Sequence, residues 1–303
     1  MLRRLLLALA ASLWLKKFVT SFPLARKVAR RFVAGETLED AIEAVRSLHG
    51  AGLDVTLDFL GENVENPAGA TRAVKQYHEI LGAIQHSGLE AHVSLKLTHL
   101  GMDLGTDLCL ENLLAILTRA REVPTFVRID MEGSEYTQRT LDVFEKARAE
   151  FDNIGIVIQA YLRRSKDDIA HINRMGGRVR LCKGAYHEPQ ELAYQERSEV
   201  TANCIDLMKD LLRDGTYPAI ASHDEEILQA TLDYVEQQKI LRNEFEFQML
   251  YGIRRERQLE LLSEGYNVRI YVPFGTEWYP YFMRRLAERP ANLVFFLTAL
   301  FRG

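Results

Sequence analysis

Eight short β-rich runs, each followed by a stretch with helical leucine spacing, limit what this chain can fold into more than any other feature. Consecutive runs are separated by about 15 to 35 residues, enough for a crossover helix between parallel strands. No long Ser/Pro/Gly linker interrupts the series. Eight consecutive βα units in one domain predict an α/β fold, a closed (β/α)8 barrel rather than an open sheet. The predicted strands are Asp54–Phe59, His92–Leu97, Thr125–Asp130, Gly155–Ala160, Arg178–Cys182, Ala219–His223, Glu244–Met249 and Val268–Val272.

The chain length leaves room for one barrel and a short extension. It has 303 residues, and a barrel of this kind takes about 250. We assign residues 1–48 to an N-terminal helical arm and residues 49–303 to the barrel. A capping-box pattern from Thr37 to Asp40 predicts the start of the second helix of the arm. After the eighth strand, the pattern predicts a helix over Tyr279–Glu288 and a further helix in the apolar tail, Leu293–Leu300.

The N-terminal segment admits two interpretations. An apolar run, Leu5–Leu15, lies between Arg3-Arg4 and Lys16-Lys17. It is too short for a membrane-spanning helix, which takes about 20 residues, and no small-x-small cleavage site follows it. The segment therefore reads as an apolar helix flanked by cations. Such a helix can pack on the barrel or dock at a membrane surface, and the sequence leaves both open.

The net charge and the cysteines indicate which class of partner and which cellular compartment to expect. A formal net charge of -4 provides no broad cationic field for nucleic acid, so we expect a small-molecule partner. Cys109, Cys182 and Cys204 follow no zinc-ligand or CxxC spacing. An odd number of cysteines without a framework indicates reduced thiols and a cytoplasmic setting, where their ordinary role is that of small buried side chains.

Polar residues gather at the C-terminal ends of the predicted strands, where a parallel barrel otherwise buries apolar side chains. One such residue alone would be a strand-end group satisfied by loop backbone. Their presence around the whole barrel predicts an enzyme with one polar site at this face, because the βα loops converge there. These residues are Asp58, Glu62, Lys96, Asp130, Gln159, Tyr161, Arg180, Lys183, His223, Gln248 and Tyr271.

The helix after the eighth strand carries a compact polar group. Tyr281, Arg284, Arg285 and Glu288 have the spacing i, i+3, i+4 and i+7, so they share one helix face. The adjacent arginines could form a solvated surface pair. If the face points to the barrel mouth, they could instead bind a carboxylate through bidentate guanidinium contacts.

Motifs for the common nucleotide and metal sites are absent from the sequence. It contains no GxGxxG, no GxxxxGK[ST] and no HExxH, and we predict no metal site. Arg178, Arg180 and Lys183 precede Gly184-Ala185, and cations beside a glycine suit an anionic phosphate ligand. Taken together, the sequence patterns alone indicate a barrel enzyme with a site that binds a carboxylate group and with an anionic cofactor or substrate.

Two other classes of protein fit a barrel with polar strand ends. A flavin-free lyase or aldolase could use Lys96 or Lys183 as a Schiff-base nucleophile, since lysines at strand ends of this fold can do so. A non-catalytic binding barrel is the second alternative, and it leaves the many polar strand ends without a role.

Seven segments, in order along nearly the whole barrel, resemble the signature segments of the proline dehydrogenase family, in its monofunctional bacterial form. They are VSLKLTHLG (93–101), VRIDMEG (127–133), GIVIQAYLRRS (155–165), VRLCKGAYHEP (179–189), ASHD (221–224), FEFQMLYGI (245–253) and RIYVPFGTEWYPYFMRRLAERPAN (269–292).

The resemblance implies a distorted (β/α)8 barrel that binds FAD at its C-terminal face. It implies oxidation of L-proline to Δ1-pyrroline-5-carboxylate by hydride transfer to N5 of FAD, with the electrons passed to a membrane quinone, in proline catabolism. Contact with the inner face of the membrane, and a partner dehydrogenase that consumes the product, are left open.

The resemblance also assigns roles to individual residues. Asp130 and Arg180 match catalytic positions, with Arg180 placing positive charge near the flavin. The residues that match the substrate site are Lys96, Leu250, Tyr271, Tyr281, Arg284, Arg285 and Glu62. The residues that match FAD-contacting positions are Met131, Gln159, Arg180, Lys183, Gly184, Ala185, Ser222 and His223.

Overall fold

The structure, a computed structural model, describes residues 29–288, with side chains described through Met283. In that range eight parallel strands form one closed barrel in chain order, and β1 pairs with β8 to close it. The predicted (β/α)8 barrel is confirmed. The strands are β1 (Asp54–Phe59), β2 (His92–Leu95), β3 (Val127–Ile129), β4 (Ile154–Gln159), β5 (Arg178–Cys182), β6 (Ala219–Ala221), β7 (Glu246–Leu250) and β8 (Asn267–Phe274).

Helices precede the barrel and alternate with its strands. The described helices are α1 (Leu38–Gly50), α2 (Pro67–Ser87), α3 (Thr106–Glu122), α4 (Ser134–Arg148), α5 (Ser165–Arg174), α6 (Arg197–Asp214), α7 (Glu225–Gln238), α8 (Arg255–Ser263) and α9 (Trp278–Glu288). Helix α1 begins with the predicted capping box. The Thr37 hydroxyl accepts from the Asp40 N–H at 3.2 Å, and the Asp40 carboxylate accepts from the Thr37 N–H at 3.4 Å.

Strand alternation separates an apolar layer from a polar barrel interior. Side chains at successive strand positions point to opposite faces, so Val55 and Leu57 lie on the helix side and their neighbours lie inside. Burial of each such aliphatic side chain stabilises the folded state by roughly 1.5 to 3 kcal/mol. The interior instead carries charged groups: Arg269 on β8 binds Glu246 on β7, and Arg180 on β5 binds Asp130, which follows β3. The polar site is therefore built into the centre of the barrel.

Several strand ends differ from the prediction. The second strand ends at Leu95 rather than at residue 97, because the chain turns there and the Lys96 carbonyl accepts from the His99 N–H at 3.2 Å. The sixth strand ends at Ala221 rather than at residue 223, because the Ser222 hydroxyl accepts from the Asp224 N–H at 3.0 Å and α7 begins immediately afterwards. The polar residues predicted at these strand ends therefore lie in the loops that follow the strands, not in the β-sheet.

Other predictions lie outside the described residues. These are the apolar run Leu5–Leu15, the first part of the helical arm before residue 29 and the tail Leu293–Leu300. The division of the chain at residue 48 stays a prediction. None of the helices between residues 29 and 288 combines the length and apolar character that crossing a membrane requires.

Candidate active site

The centre of the site is the carboxylate of Asp130, just beyond β3. Its Oδ1 accepts from Arg180 Nη1 at 2.8 Å and from the Ser94 hydroxyl at 3.2 Å, and its Oδ2 accepts from the Tyr271 hydroxyl at 2.6 Å. The Arg180 guanidinium also lies over the Tyr271 ring, 5.2 Å from its centroid. Four strands or strand ends thus meet at one carboxylate. Charge-assisted hydrogen bonds of this kind hold their groups in fixed geometry.

A second ion-pair group lies beside it. The ammonium of Lys96 is 3.7 Å from a carboxylate oxygen of Asp58 and 3.7 Å from one of Glu62. Asp58 and Lys96 are both buried, whereas Glu62 is about a third exposed. Glu62 therefore stands between the buried charges and solvent.

Burial shifts the pKa of several groups in this region. It raises the pKa of the Asp58 carboxyl, an effect that the neighbouring Lys96 ammonium opposes. Burial and the charges of Asp130 and Asp58 raise the pKa of the Tyr271 phenol well above its ordinary value, so this hydroxyl remains a donor. Burial and the Lys96 charge lower the pKa of His99 to about 4, so this ring is neutral at pH 7.

A third group is formed by Lys183, which follows β5, and Asp224, which lies just before α7. Lys183 donates to the Thr201 hydroxyl at 2.7 Å and forms an ion pair with Asp224. The exposed Arg197 binds the same carboxylate at 3.1 Å. Burial works against ionisation of Asp224, but hydrogen bonds from Lys183 and Arg197 hold its pKa below the usual value. An anionic ligand that bound here would compete with Asp224 for these cations.

The residues between these groups fit the flavin nucleotide that the resemblance implies. Gln159 donates to the Met131 carbonyl at 3.1 Å, while its buried Oε1 has no hydrogen-bond partner among the described residues. A buried acceptor without a partner calls for a donor, which a bound ligand could supply. Gly184 has φ +102°, and a Cβ there would lie 2.1 Å from the Tyr161 ring, so only glycine lets the backbone pass.

The remaining predicted residues are placed by β7, β8 and α9. The Leu250 N–H donates to His223 Nε2 at 2.9 Å, which joins the end of β7 to the loop after β6. Tyr281 is buried on α9. Arg284 and Arg285 belong to the same helix, but their side chains lie outside the described residues. Their predicted role as a carboxylate clamp stays a prediction.

Among the residues that sequence reasoning missed, three show what signal the sequence did or did not contain. Ser94 lies on the inward face of β2, two positions before Lys96, and the alternation in HVSLKL could have identified it. Glu246 lies two positions before Gln248 on β7 and could have been found in the same way. Asp224 was recognisable only as a helix N-cap before α7, so its ion pair with Lys183 had no sequence signal.

Comparison with known proteins agrees with the resemblance. The family model described as proline dehydrogenase matches residues 41–297. Proline dehydrogenase 1 of Bacillus subtilis (strain 168) is 41% identical over 302 residues, which cover 100% of both chains. The proline dehydrogenase of Deinococcus radiodurans is 39% identical over 281 residues, 91% of each chain.

A solved structure resembles the fold. The crystal structure of proline utilization A from Bdellovibrio bacteriovorus, inactivated by N-propargylglycine, superposes with a TM-score of 0.82 at 27% identity. The superposition covers 87% of this chain and 33% of that one, so this chain spans about a third of the longer protein.

Proposed function

This chain belongs to the proline dehydrogenase family, and we propose that it oxidises L-proline at the C-terminal mouth of its barrel with FAD as the bound electron acceptor. The observation that carries this proposal is the convergence of Asp130, Arg180 and Tyr271 beside the Lys96 ion pairs. Polar residues from separate strands meet at the face where enzymes of this fold bind substrates.

Proline oxidation requires the loss of one proton and one hydride. The ring nitrogen is an ammonium at neutral pH and must lose a proton to the surroundings before its lone pair can form a C=N bond. The adjacent ring carbon then loses a hydride, and the product is Δ1-pyrroline-5-carboxylate. FAD, when bound, supplies the acceptor for that hydride at N5. We therefore expect activity to rise toward alkaline pH.

The role that we propose for the residues of the chain at the substrate site is to position L-proline. Arg284 and Arg285 on α9 would bind the proline carboxylate, as their resemblance to the family motif indicates. Leu250, Tyr271 and Tyr281 would form the walls around the ring and exclude water. The Lys96 ammonium, paired with Asp58 and Glu62, would line the pocket floor, and Glu62 would close it toward solvent.

Arg180 also belongs to the residues that we propose to hold the cofactor. Its guanidinium, fixed by Asp130 and Ser94, would supply positive charge that favours added electrons on the flavin. The residues proposed to hold FAD are Met131, Gln159, Arg180, Lys183, Gly184, Ala185, Ser222 and His223. The unpartnered Gln159 Oε1 and the Lys183 ammonium support this assignment.

We further propose that the electrons pass to a membrane quinone and that the chain contacts the membrane peripherally. The cation-flanked run Leu5–Leu15 is the candidate contact. Deleting residues 1–17 and measuring co-sedimentation with vesicles tests it. Loss of co-sedimentation with an intact flavin spectrum supports the assignment, whereas unchanged co-sedimentation rejects this run as the anchor.

An anaerobic spectrum tests the central proposal. The purified protein should show a flavin spectrum in the visible range, and L-proline added without oxygen should bleach it. Pyrrolidine, which lacks the carboxylate, should bleach it far more slowly at the same concentration. A colourless protein that FAD cannot reconstitute would reject the proposal and favour the Schiff-base lyase, which borohydride trapping with a carbonyl substrate would then reveal.

A further inference from the structure

Arg180, Gln248, Glu246 and Arg269 form a buried, hydrogen-bonded row of side chains in the barrel interior. The row starts at Arg180 and runs away from the C-terminal mouth of the barrel. We propose that Gln248, with Glu246 below it, is a positioning residue that orients Arg180 and keeps its positive charge available to the flavin. The inference rests on the proposed function, because it assumes that Arg180 faces FAD. Gln248 itself would touch neither substrate nor cofactor.

The row is continuous through hydrogen bonds. Arg180 Nε donates to Gln248 Oε1, and Gln248 Nε2 donates to Glu246 Oε1. The other oxygen of Glu246 accepts from Arg269 Nε at 3.0 Å. Arg269 in turn donates to the Val55 carbonyl at 3.0 Å, which anchors the row to the backbone of β1. Each side chain in the row is therefore held in place by a hydrogen bond to the next one.

Burial makes these contacts strong constraints. Glu246 is 0% exposed and Gln248 is 3% exposed, and Arg180 is also buried. Water therefore cannot replace a lost partner without a structural change, and an unsatisfied buried donor costs about 1 to 3 kcal/mol. The guanidinium of Arg180 is consequently held from two directions, by Asp130 and Ser94 on one side and by Gln248 on the other.

The amide at position 248 has one orientation that satisfies both neighbours. Its oxygen must face the guanidinium of Arg180, which only donates, and its nitrogen must face the carboxylate of Glu246. A carboxylate at 248 would lack the donor for Glu246, and an apolar side chain would satisfy neither partner. Glutamine is therefore matched to its position in this row.

The distribution of charge along the row supports an electrostatic role. Glu246 forms an ion pair with Arg269, and the neutral amide of Gln248 separates that pair from Arg180. Among the row residues, none places a second carboxylate directly on Arg180, whose carboxylate partner is Asp130. Gln248 thus orients the guanidinium of Arg180 without bringing a negative charge to it. The row itself therefore adds no negative charge next to the guanidinium, a difference that matters in a buried site where charges interact strongly.

The position of Gln248 on its strand links it to the substrate side. Glu246, Gln248 and Leu250 are at i, i+2 and i+4 on β7, so all three face the barrel interior. One strand thereby carries the anchor of the row, the amide that orients Arg180 and a proposed wall of the proline pocket.

Two substitutions separate orientation from charge. Gln248→Met removes both hydrogen bonds at similar volume, and Gln248→Glu places a carboxylate against Arg180. The midpoint potential of bound FAD at pH 8.5, the dissociation constant of FAD from the apoprotein and the proline kinetics are measured for each. Thr231→Val is the control, because it also removes one buried hydrogen bond, to the Ile227 carbonyl at 2.7 Å on α7.

We expect Gln248→Glu to make flavin reduction at least tenfold less favourable, a shift of about 30 mV to lower potential for two electrons. Gln248→Met should lower kcat about tenfold with a KM change below threefold, and should have less than a twofold effect in an Arg180→Met background. Thr231→Val should leave potential and kcat unchanged.

An unshifted potential in Gln248→Glu, a Gln248→Met effect that persists undiminished in the Arg180→Met background, or an equal shift in Thr231→Val would overturn the inference. Failure of the proposed function is distinguishable, because the wild-type protein would then hold no FAD or would not be reduced by L-proline.

Discussion

The hydroxyl of Tyr271 lies 2.6 Å from Oδ2 of Asp130, so a single hydrogen bond spans the barrel from β8 to the end of β3. These strands are separated by β1 and β2 in the sheet, and the bond therefore crosses the interior. Because burial and nearby carboxylates raise the pKa of Tyr271 well above its ordinary value, the phenol keeps its proton at every pH at which the enzyme would work. It is a permanent donor to Asp130.

Tyr271→Phe keeps the aromatic wall and removes this donor. We expect the free energy of unfolding to fall by about 1 to 2 kcal/mol, because one oxygen of a largely buried carboxylate loses its partner. Urea unfolding measures the loss. In an Asp130→Asn background the same substitution should cost less, since the two residues act as a pair. An equal cost in both backgrounds would contradict the pairing.

Asp58→Asn should increase stability progressively as pH rises. Burial raises the pKa of Asp58 despite Lys96, so the folded state holds the proton more tightly than the unfolded state does. Stability is therefore lost as pH rises from the unfolded pKa through the folded one. Asparagine does not titrate, and Glu62 still pairs with Lys96. Urea unfolding from pH 3.5 to 8 measures this difference, and a difference that stays constant from the unfolded pKa upward would be inconsistent with a raised pKa.

His99 should make the protein sensitive to acid. Burial and the Lys96 charge lower its pKa from 6.5 to about 4, so protonation favours the unfolded state and stability falls as pH drops below 6.5. From pH 7.5 to 5 the loss attributable to this group should be about 2 kcal/mol. His99→Gln should remove that part of the pH dependence. The pKa of His92 is also lowered, so the difference between the two proteins is the decisive quantity.

Lys183→Met should weaken FAD binding by about tenfold or more, the effect of one charge-assisted hydrogen bond. Arg197→Met is a matched control, because Arg197 binds the same Asp224 carboxylate but is exposed. Its effect should be small, as for other exposed ion pairs. Titration of the apoprotein with FAD, followed by flavin fluorescence, compares them. Equal losses would show that Lys183 acts only through Asp224.

Arg285→Met and Arg284→Met should each raise KM for L-proline about tenfold or more, because each guanidinium would contribute a charge-assisted contact to the carboxylate. Oxidation of pyrrolidine, which has no carboxylate, is the internal control and should change little in either variant. Unchanged proline kinetics in Arg285→Met would remove that residue from the clamp.

The barrel was predictable because its signal is local. Alternation within each strand and leucine spacing within each helix are properties of short windows, and eight repeats of them leave few other folds. Strand ends were less predictable: Lys96 and His223 look like strand residues, but both lie in loops. The Lys96 carbonyl accepts from the His99 N–H, and the Ser222 hydroxyl next to His223 accepts from the Asp224 N–H.

The partners of the site residues were the least predictable part. Asp130 and Arg180 could be placed at strand ends, but which interior side chains meet depends on the register of non-neighbouring strands. Nothing in a single sequence indicates that Gln248 lies between Arg180 and Glu246, or that Lys183 meets Asp224. The carboxylate clamp depends on side chains of α9 outside the described residues, and it remains a prediction.

Closure of the barrel by β1 and β8 also has a consequence for biosynthesis. Arg269 binds Asp54 across 215 positions of the chain, so the first strand emerges from the ribosome long before its partner. Until β8 arrives, the edge of β1 is unpaired, and Asp130 lacks its Tyr271 donor. A stalled or truncated chain would therefore expose the unpaired edge of β1, which could bind a chaperone or pair with another chain and aggregate. Its site would also be incomplete. The last strand completes the sheet and the site in the same step.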